Sequence, residues 1–466
     1  MKLGLIAMSG VRAHNEELTR LGLTLPGFVE RNKIIASLPS LSLLTLAALT
    51  PPHIEVEYRE IDDLRTAPAL PTDYDLVAIS TFTAQIYDAY AVADSYRRAG
   101  IPVVMGGLHV SSLPDEAQQH ATTVVVGEGE PLWPQVIADF ERGQLQARYA
   151  QSPAGLYDLA DAPIPRYDLL DPEKYNRLTV QTSRGCPWKC SFCASSILLT
   201  SKYKLKPVPK VIAEIRAIKR VWETPFVEFA DDNSFVHPGH YKELLRALRP
   251  EGVRWFTESD INVANDDELL TLMRQSGCKQ VLIGFESPRR SSLDGLELQA
   301  NWKMKQLDRY KAAIAKIQSY GITVNGCFIL GLDGDTPDIF EEVYRFVRES
   351  GLYEVQITVL TAFPGTPLYT RLQREGRLVR ERAWELCTLF DINFVPNGMT
   401  VEELQAGFLW LGKNLYSEEV TADRRHRFRE MLRQSPHARK RIRDNEGRDS
   451  HVAETGARSV SPGRDL

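Results

Sequence analysis

The chain has 466 residues, more than one ordinary hydrophobic core holds, so two or three domains are expected. With 43 % hydrophobic and 25 % charged residues it has the composition of a folded globular protein, which excludes general disorder and a fibrous architecture. A formal net charge of −5 offers no basic field for neutralising phosphates, so nucleic acid is not an expected partner.

The longest apolar candidate, Leu38 to Leu49, is broken by Ser and Thr and falls short of the roughly 20 residues that span a bilayer. The opening run Met1 to Ala7 is too short for a signal peptide and lacks a small-residue cleavage site. A cytoplasmic protein is the expectation.

Over residues 1–142 short apolar runs alternate with helical segments. Strands are expected at 2–7, 54–58, 76–80, 103–105 and 123–126, with helices near 41–49, 84–99 and 133–140. The alternation reads as α/β: a doubly wound, Rossmann-like parallel sheet that binds ligands beyond the C-terminal ends of its strands. Two glycine-bearing turns fall there, Gly106-Gly107-Leu108-His109 and Gly127-Glu128-Gly129-Glu130. Glycine lets backbone approach a ligand closely, and it also makes tight turns; two such turns at successive strand ends favour a site.

Residues 143–177 carry Pro153, Pro163, Pro165 and Pro172 and few periodic runs, as a surface linker does. A second alternation fills residues 178–362, with strands at 178–182, 226–230, 253–257, 281–285, 323–330 and 355–360 and helices near 210–221, 241–248, 267–275, 303–319 and 338–349. Six strand-helix units predict a partial barrel of the TIM type with its chemistry at the C-terminal mouth. Residues 363–420 read as a helical, aromatic region. From Thr421 to residue 466 Arg, Asp, Ser and Gly dominate, and a disordered polar tail is expected.

Six cysteines in a chain of this size make no disulfide framework, and three of them lie within eight residues. In Cys186-Pro187-Trp188-Lys189-Cys190-Ser191-Phe192-Cys193 the spacing is C-x-x-x-C-x-x-C, directly after a predicted strand. Three thiolates so placed can ligate three irons of one cubane cluster and leave the fourth iron open to a chelating molecule. A structural zinc site or a coincidental cysteine cluster is the alternative, but zinc wants a second Cys or His pair that the sequence lacks.

Cys278, Cys327 and Cys387 are isolated and read as small core residues, with Cys327 on a strand that should line the barrel. Asp231, Asp232 and Glu286 stand at strand C-termini, where a carboxylate is costly unless paired. They are expected to face a polar ligand, with helix capping or a surface ion pair as the alternative.

The cysteine spacing, with an aromatic residue just before the last cysteine, resembles the signature of the radical S-adenosylmethionine (SAM) superfamily. The likeness extends through Thr182-Ser183-Arg184-Gly185, Phe229 to Phe235, Gly284-Phe285-Glu286-Ser287, the glycine-rich Gly326 to Asp335 and Ala362 to Pro367. It implies a 4Fe-4S cluster on Cys186, Cys190 and Cys193 whose free iron is chelated by the SAM amine and carboxylate. It also implies Asp231, Asp232, Glu286 and Gly331 around SAM and Phe192 near the adenine.

The first half resembles the cobalamin-binding domain fused to many such enzymes, through Leu38 to Leu49, Val77-Ala78-Ile79-Ser80 and the two glycine turns. This implies cobalamin held by Gly106, Gly107, His109, Gly127, Glu128, Gly129 and Glu130. The D-x-H-x-x-G motif that gives a histidine to cobalt is absent, and Leu108 stands where relatives carry proline.

With Phe390 to Asn397 and Leu415-Tyr416-Ser417, the whole is similar to the branch containing the hopanoid methylases. The resemblance implies cobalamin-dependent C-methylation of a small molecule or lipid, with electrons from a donor such as flavodoxin or ferredoxin. The alternatives are a cobalamin-free radical cyclase, oxidase or carbon-coupling enzyme and, from another class, a cluster-bearing binding or sensor protein without turnover.

Overall fold

Two parallel sheets organise the chain. The computed structural model describes residues 1–437 except 9, 12, 16, 19–29, 32, 33, 37, 66, 68, 153–156, 200 and 201. Pro153 of the expected linker and residues 438–466 of the expected tail therefore lie outside the described residues.

The first sheet contains Lys2–Met8, Glu55–Ile61, Leu76–Ser80, Val103–Gly106, Thr123–Val126 and Arg148–Ala150, all parallel, with the second strand outside the first and the others following in chain order. The two-residue period of a strand splits its side chains between faces. Leu3, Leu5 and Ala7 pack with Leu43 and Ala47 of helix Leu41–Leu49 and with Val136 and Ile137 of helix Trp133–Glu141. Ile6 and Met8 turn the other way, toward Ala89 and Ala93 of helix Ile86–Arg98.

Burying a Leu or Ile side chain contributes about 1.5–3 kcal/mol, so a sheet covered on both faces needs the nearly continuous apolar runs seen in its sequence. The strand order reverses between Lys2–Met8 and Leu76–Ser80, and a crevice opens beyond the C-terminal ends there. The sixth strand, Arg148–Ala150, falls in the stretch expected to be linker; it is anchored by Tyr149, whose hydroxyl donates to Asp139 at 2.8 Å.

In the second sheet Leu178–Val180, Phe226–Ser234, Arg254–Ser259, Cys278–Glu286, Thr323–Leu330 and Glu354–Val359 pair in chain order, the open barrel that six strand-helix units predict. Val227, Phe229, Trp255, Val281, Ile283, Phe285, Val324 and Phe328 are fully buried on the outer face, in one core with the helices Val208–Val221, Pro238–Leu248, Asp267–Gln275, Tyr310–Ser319 and Ile339–Ser350. The alternate residues Glu228, Ala230, Glu258, Leu282, Gly284 and Cys327 are only half-buried, because the concave face encloses open space.

Two expectations are corrected. The helix expected over 303–319 is interrupted: Trp302–Gln306 ends in a 3-10 turn at Leu307–Arg309 before Tyr310–Ser319 begins. The polar stretch from Thr421 is not a tail as far as residue 437, since Glu418–Gln434 is a helix. Its buried residues Val420, Arg424 and Phe428 recur every fourth position and make one packing stripe; the Arg424 guanidinium donates to the carbonyl of Leu415 at 2.6 Å, and Phe428 meets Tyr353 edge-on. No helix among the described residues is long and apolar enough to cross a membrane.

Candidate active site

The cysteine loop is held by the strand beside it. Asp231, fully buried near the end of Phe226–Ser234, accepts the backbone N–H groups of Thr182 at 2.7 Å and Ser183 at 2.8 Å, and the hydroxyls of Thr182, Ser234 and Tyr241. Asp232 accepts Gly185 N–H at 2.7 Å and the Ser195 hydroxyl. Asp231, expected beside a ligand, therefore spends its carboxylate on the loop, because five protein donors converge on it. Burial nevertheless pushes its carboxyl above the usual range.

Asn233, which the sequence did not single out, donates to Asp260 at 3.1 Å and approaches the Cys186 sulfur at 3.7 Å. Trp188 Nε1 donates to the same Asp260 oxygen at 2.9 Å, and its ring stacks on Trp302 at 4.5 Å. Ser196 N–H donates to the Cys193 sulfur at 3.4 Å, at the start of a π-helical turn, Ser195–Leu199.

Burial first, and then Cys193, push the Cys186 thiol up to about 11; burial, Glu286 and the other two cysteines push Cys190 up to about 12. The Cys186 and Cys190 sulfurs thus favour thiolate only when a cation compensates. No three His, Cys, Asp or Glu side chains among the described residues converge closely enough to hold a single metal ion. A cubane, whose irons occupy separate corners, takes ligands spread more widely.

At the mouth, Glu286 ends its strand with a φ of 63° and pairs with Lys303, 2.8 Å away; Lys303 also donates to the Gly284 carbonyl at 2.6 Å. A Cβ on Gly284 would collide with the Glu286 carboxylate, so the glycine makes room for this pair. Lys303 escaped the sequence reading because it reaches back from the broken helix to an earlier strand end. Phe192 is half-buried and packs against the barrel core. Gly331 has a φ of 90°, and a Cβ there would press on Phe394 and Leu404 at 2.9 Å, so protein packing alone accounts for the glycine.

A cavity of about 340 Å³ lies between the two sheets. Gly106, Gly107, Gly127, Glu128, Gly129 and Glu130 line it from the first sheet, and Gln181, Arg184 and Ala230 from the barrel. Burial acts to raise Glu128, but hydrogen bonds from Gln151 and Lys204 and the Arg184 guanidinium hold it below the ordinary carboxylate range.

His109, expected with this group, is absent from the lining. It is buried 3.3 Å from Glu116 and edge-on to Trp384, whose Nε1 donates to the same carboxylate. It fastens the C-terminal region to the first sheet.

Residues 180–347 match the Radical SAM superfamily, residues 48–137 the B12 binding domain and residues 366–455 a domain of unknown function, DUF4070. The bacteriochlorophyllide d C-12(1)-methyltransferase of Chlorobaculum tepidum is 30 % identical, over 81 % of this chain and 82 % of that protein. The hopanoid C-2 methylase of Rhodopseudomonas palustris is 31 % identical, over 75 % of this chain and 67 % of that protein. A solved structure of the radical SAM methyltransferase TsrM from Kitasatospora setae, with cobalamin and a 4Fe-4S cluster bound, shares the fold with a TM-score of 0.61 at 16 % identity, covering 94 % of this chain and 99 % of that one.

The chain is thus a radical enzyme of the cluster-bearing partial-barrel class. It belongs to the radical SAM superfamily, in the group that carries an N-terminal B12-binding domain. Its cofactors are a 4Fe-4S cluster, SAM and cobalamin.

The cavity residues fit cobalamin. A Cβ on Gly106 would meet no protein atom closer than 3.7 Å, and one on Gly129 none closer than 3.6 Å, so packing within the chain does not demand either glycine. Both positions leave room for a flat group laid across the strand ends. Among the described residues no histidine lines the cavity.

Proposed function

We propose that the chain is a cytoplasmic, cobalamin-dependent C-methyltransferase acting on an unactivated carbon of a small molecule or lipid, with electrons from a flavodoxin- or ferredoxin-type donor. The observation that carries this reading is the shared wall of the cavity: a group resting on the strand ends of the first sheet faces Gln181 and Arg184, which lead into the cysteine loop. Relatives named as a bacteriochlorophyllide methyltransferase and a hopanoid methylase support methylation as the outcome. When bound, the cluster supplies the electron that cleaves SAM to a 5′-deoxyadenosyl radical, and cobalamin carries the methyl group.

The residues divide the remaining work. Cys186, Cys190 and Cys193 supply three thiolates, and the donors from Asn233 and Ser196 disperse sulfur charge, which tunes the potential. Asp231 and Asp232 hold the loop, and the Glu286–Lys303 pair presents opposite charges at the mouth for the amine and carboxylate of SAM. Gly106, Gly107, Gly127 and Gly129 give the corrin a backbone surface. Residues 1–142 then serve as the cobalamin unit and 178–362 as the SAM unit.

Anaerobic reconstitution with iron, sulfide and hydroxocobalamin, followed by reduction and addition of SAM with fractionated small molecules and lipids, tests this. Methylation yields S-adenosylhomocysteine together with 5′-deoxyadenosine. Formation of 5′-deoxyadenosine alone would assign the chain to radical cyclisation, oxidation or coupling instead.

A further inference from the structure

Strand Ser183–Arg184, which leads into the cysteine loop, pairs antiparallel with Lys204–Leu205, and the register sets Arg184 directly opposite Lys204. Like charges directly opposite on two strands repel. Their neutralising partners come from outside the barrel, from the turn at residues 127–130 of the first sheet. Arg184 donates to Glu128 and to Glu130, each at 2.6 Å, and Lys204 donates to both oxygens of Glu128 at 2.5 and 2.6 Å. Gln181 Oε1 accepts a further bond from the guanidinium at 2.8 Å.

The four charged side chains are largely shielded: Arg184 is 14 % exposed, Lys204 10 %, Glu130 12 % and Glu128 4 %. Screening by solvent is weak there, so withdrawing the carboxylates leaves two adjacent cations uncompensated. The charge pattern of this barrel ribbon is therefore balanced only when the turn of the first sheet is seated on it. That turn and Arg184 both line the cavity. On its other side Arg184 is followed by Gly185, tied to Asp232 at 2.7 Å, and then by Cys186.

We infer that Arg184 is a positioning residue that couples the two cofactor sites. Filling the cavity fixes the 127–130 turn, the turn fixes Arg184, and Arg184 fixes the loop that holds the cluster on which SAM binds. This rests on cobalamin occupying the cavity, as proposed above. The coupling is reciprocal: hydroxocobalamin tightens SAM by the factor by which SAM tightens hydroxocobalamin.

The test measures SAM binding by equilibrium dialysis on protein carrying the oxidised cluster, which does not cleave SAM, with and without hydroxocobalamin. The wild-type protein should bind SAM about fivefold or more tightly when hydroxocobalamin is present. Arg184→Met should cut that ratio to below about twofold, and Glu128→Gln should cut it more than Glu130→Gln, because Glu128 also holds Lys204.

A merely structural role would weaken SAM equally with and without hydroxocobalamin and leave the ratio intact. Should Arg184→Met fail to fold, Glu130→Gln carries the test, since the Glu128 bridge between the two cations remains. A wild-type ratio near one, or a ratio unchanged in every variant, overturns the inference while leaving hydroxocobalamin binding intact. Failure of the wild type to bind hydroxocobalamin overturns the cobalamin reading itself, and the coupling with it.

Discussion

Replacing Asp231 separates a carboxylate that builds the cysteine loop from one that binds SAM. In Asp231→Ala the N–H groups of Thr182 and Ser183, both buried, lose their acceptor, while the hydroxyls of Thr182 and Tyr241 can bond each other and that of Ser234 can turn to Thr257. Each stranded buried N–H costs about 1–3 kcal/mol, so the pair costs about 2–6 kcal/mol. That is a large share of the roughly 5–15 kcal/mol that holds a domain folded.

Asp231→Asn keeps an oxygen for both N–H groups and offers its amide to hydroxyls that can rotate to accept, so its cost should be about 1 kcal/mol. Urea unfolding reads the stabilities, iron and sulfide content after reconstitution reads the loop, and equilibrium dialysis reads SAM. The expectation is a destabilised, cluster-poor Ala variant and an Asn variant with full cluster and normal SAM affinity. A stable, cluster-loaded Ala variant would refute the scaffolding role, and an Asn variant with full cluster but tenfold weaker SAM binding would place Asp231 at the cosubstrate.

Changing Cys186, Cys190 and Cys193 together to Ala should abolish cluster absorbance and 5′-deoxyadenosine formation, whereas Ala at Cys278, Cys327 or Cys387 should leave the cluster content unchanged. Gly106→Ala should alter stability by no more than about 1 kcal/mol, since the added Cβ meets no close protein atom, yet weaken hydroxocobalamin binding in a spectroscopic titration. His109→Ala should keep the spectrum of bound cobalamin while lowering stability, because the ring is buried against Trp384 and away from the cavity.

Glu258, on the concave face of the barrel, is pushed up to about 8 by burial and by the Glu228 and Asp232 carboxylates. The folded state thus keeps a proton that the unfolded chain has lost, and stability should fall as pH rises between about 5 and 8, by at most about 1.4 kcal/mol per unit. Urea unfolding across that range should show a flatter dependence in Glu258→Gln; an unchanged slope would contradict it.

The first sheet was legible because a strand covered on two faces must be apolar throughout, and Leu76–Ser80 or Thr123–Val126 can be little else; the barrel was legible from six apolar runs alternating with helices. The cysteine loop was legible because its three ligands are local in sequence. What escaped depends on distant partners. The stripe Val420, Arg424, Phe428 hides in a polar stretch because one of its three buried residues is an arginine that finds backbone carbonyls to bond.

His109 sits in the expected turn, but its ring is claimed by Glu116 and Trp384, the latter 275 positions onward in the chain. Lys303 and Asp260 reach the site through a broken helix and a neighbouring strand, and nothing in their local sequence marks them. The Arg184–Lys204 opposition needs the register of a two-stranded ribbon, and its resolution by Glu128 needs the seating of one sheet on the other.

The central claim is that one chain holds a SAM-cleaving cluster on Cys186, Cys190 and Cys193 and a cobalamin in the cavity beside it. The most direct measurement reconstitutes the wild-type protein and the triple Cys→Ala variant anaerobically, determines iron, sulfide and corrinoid per chain, and follows 5′-deoxyadenosine after reduction with SAM present. The account predicts one cluster, one corrinoid and 5′-deoxyadenosine in the wild type, and a variant that keeps the corrinoid but has neither cluster nor product. Undiminished SAM cleavage in the variant, or a wild-type protein that retains no corrinoid after gel filtration, would contradict it.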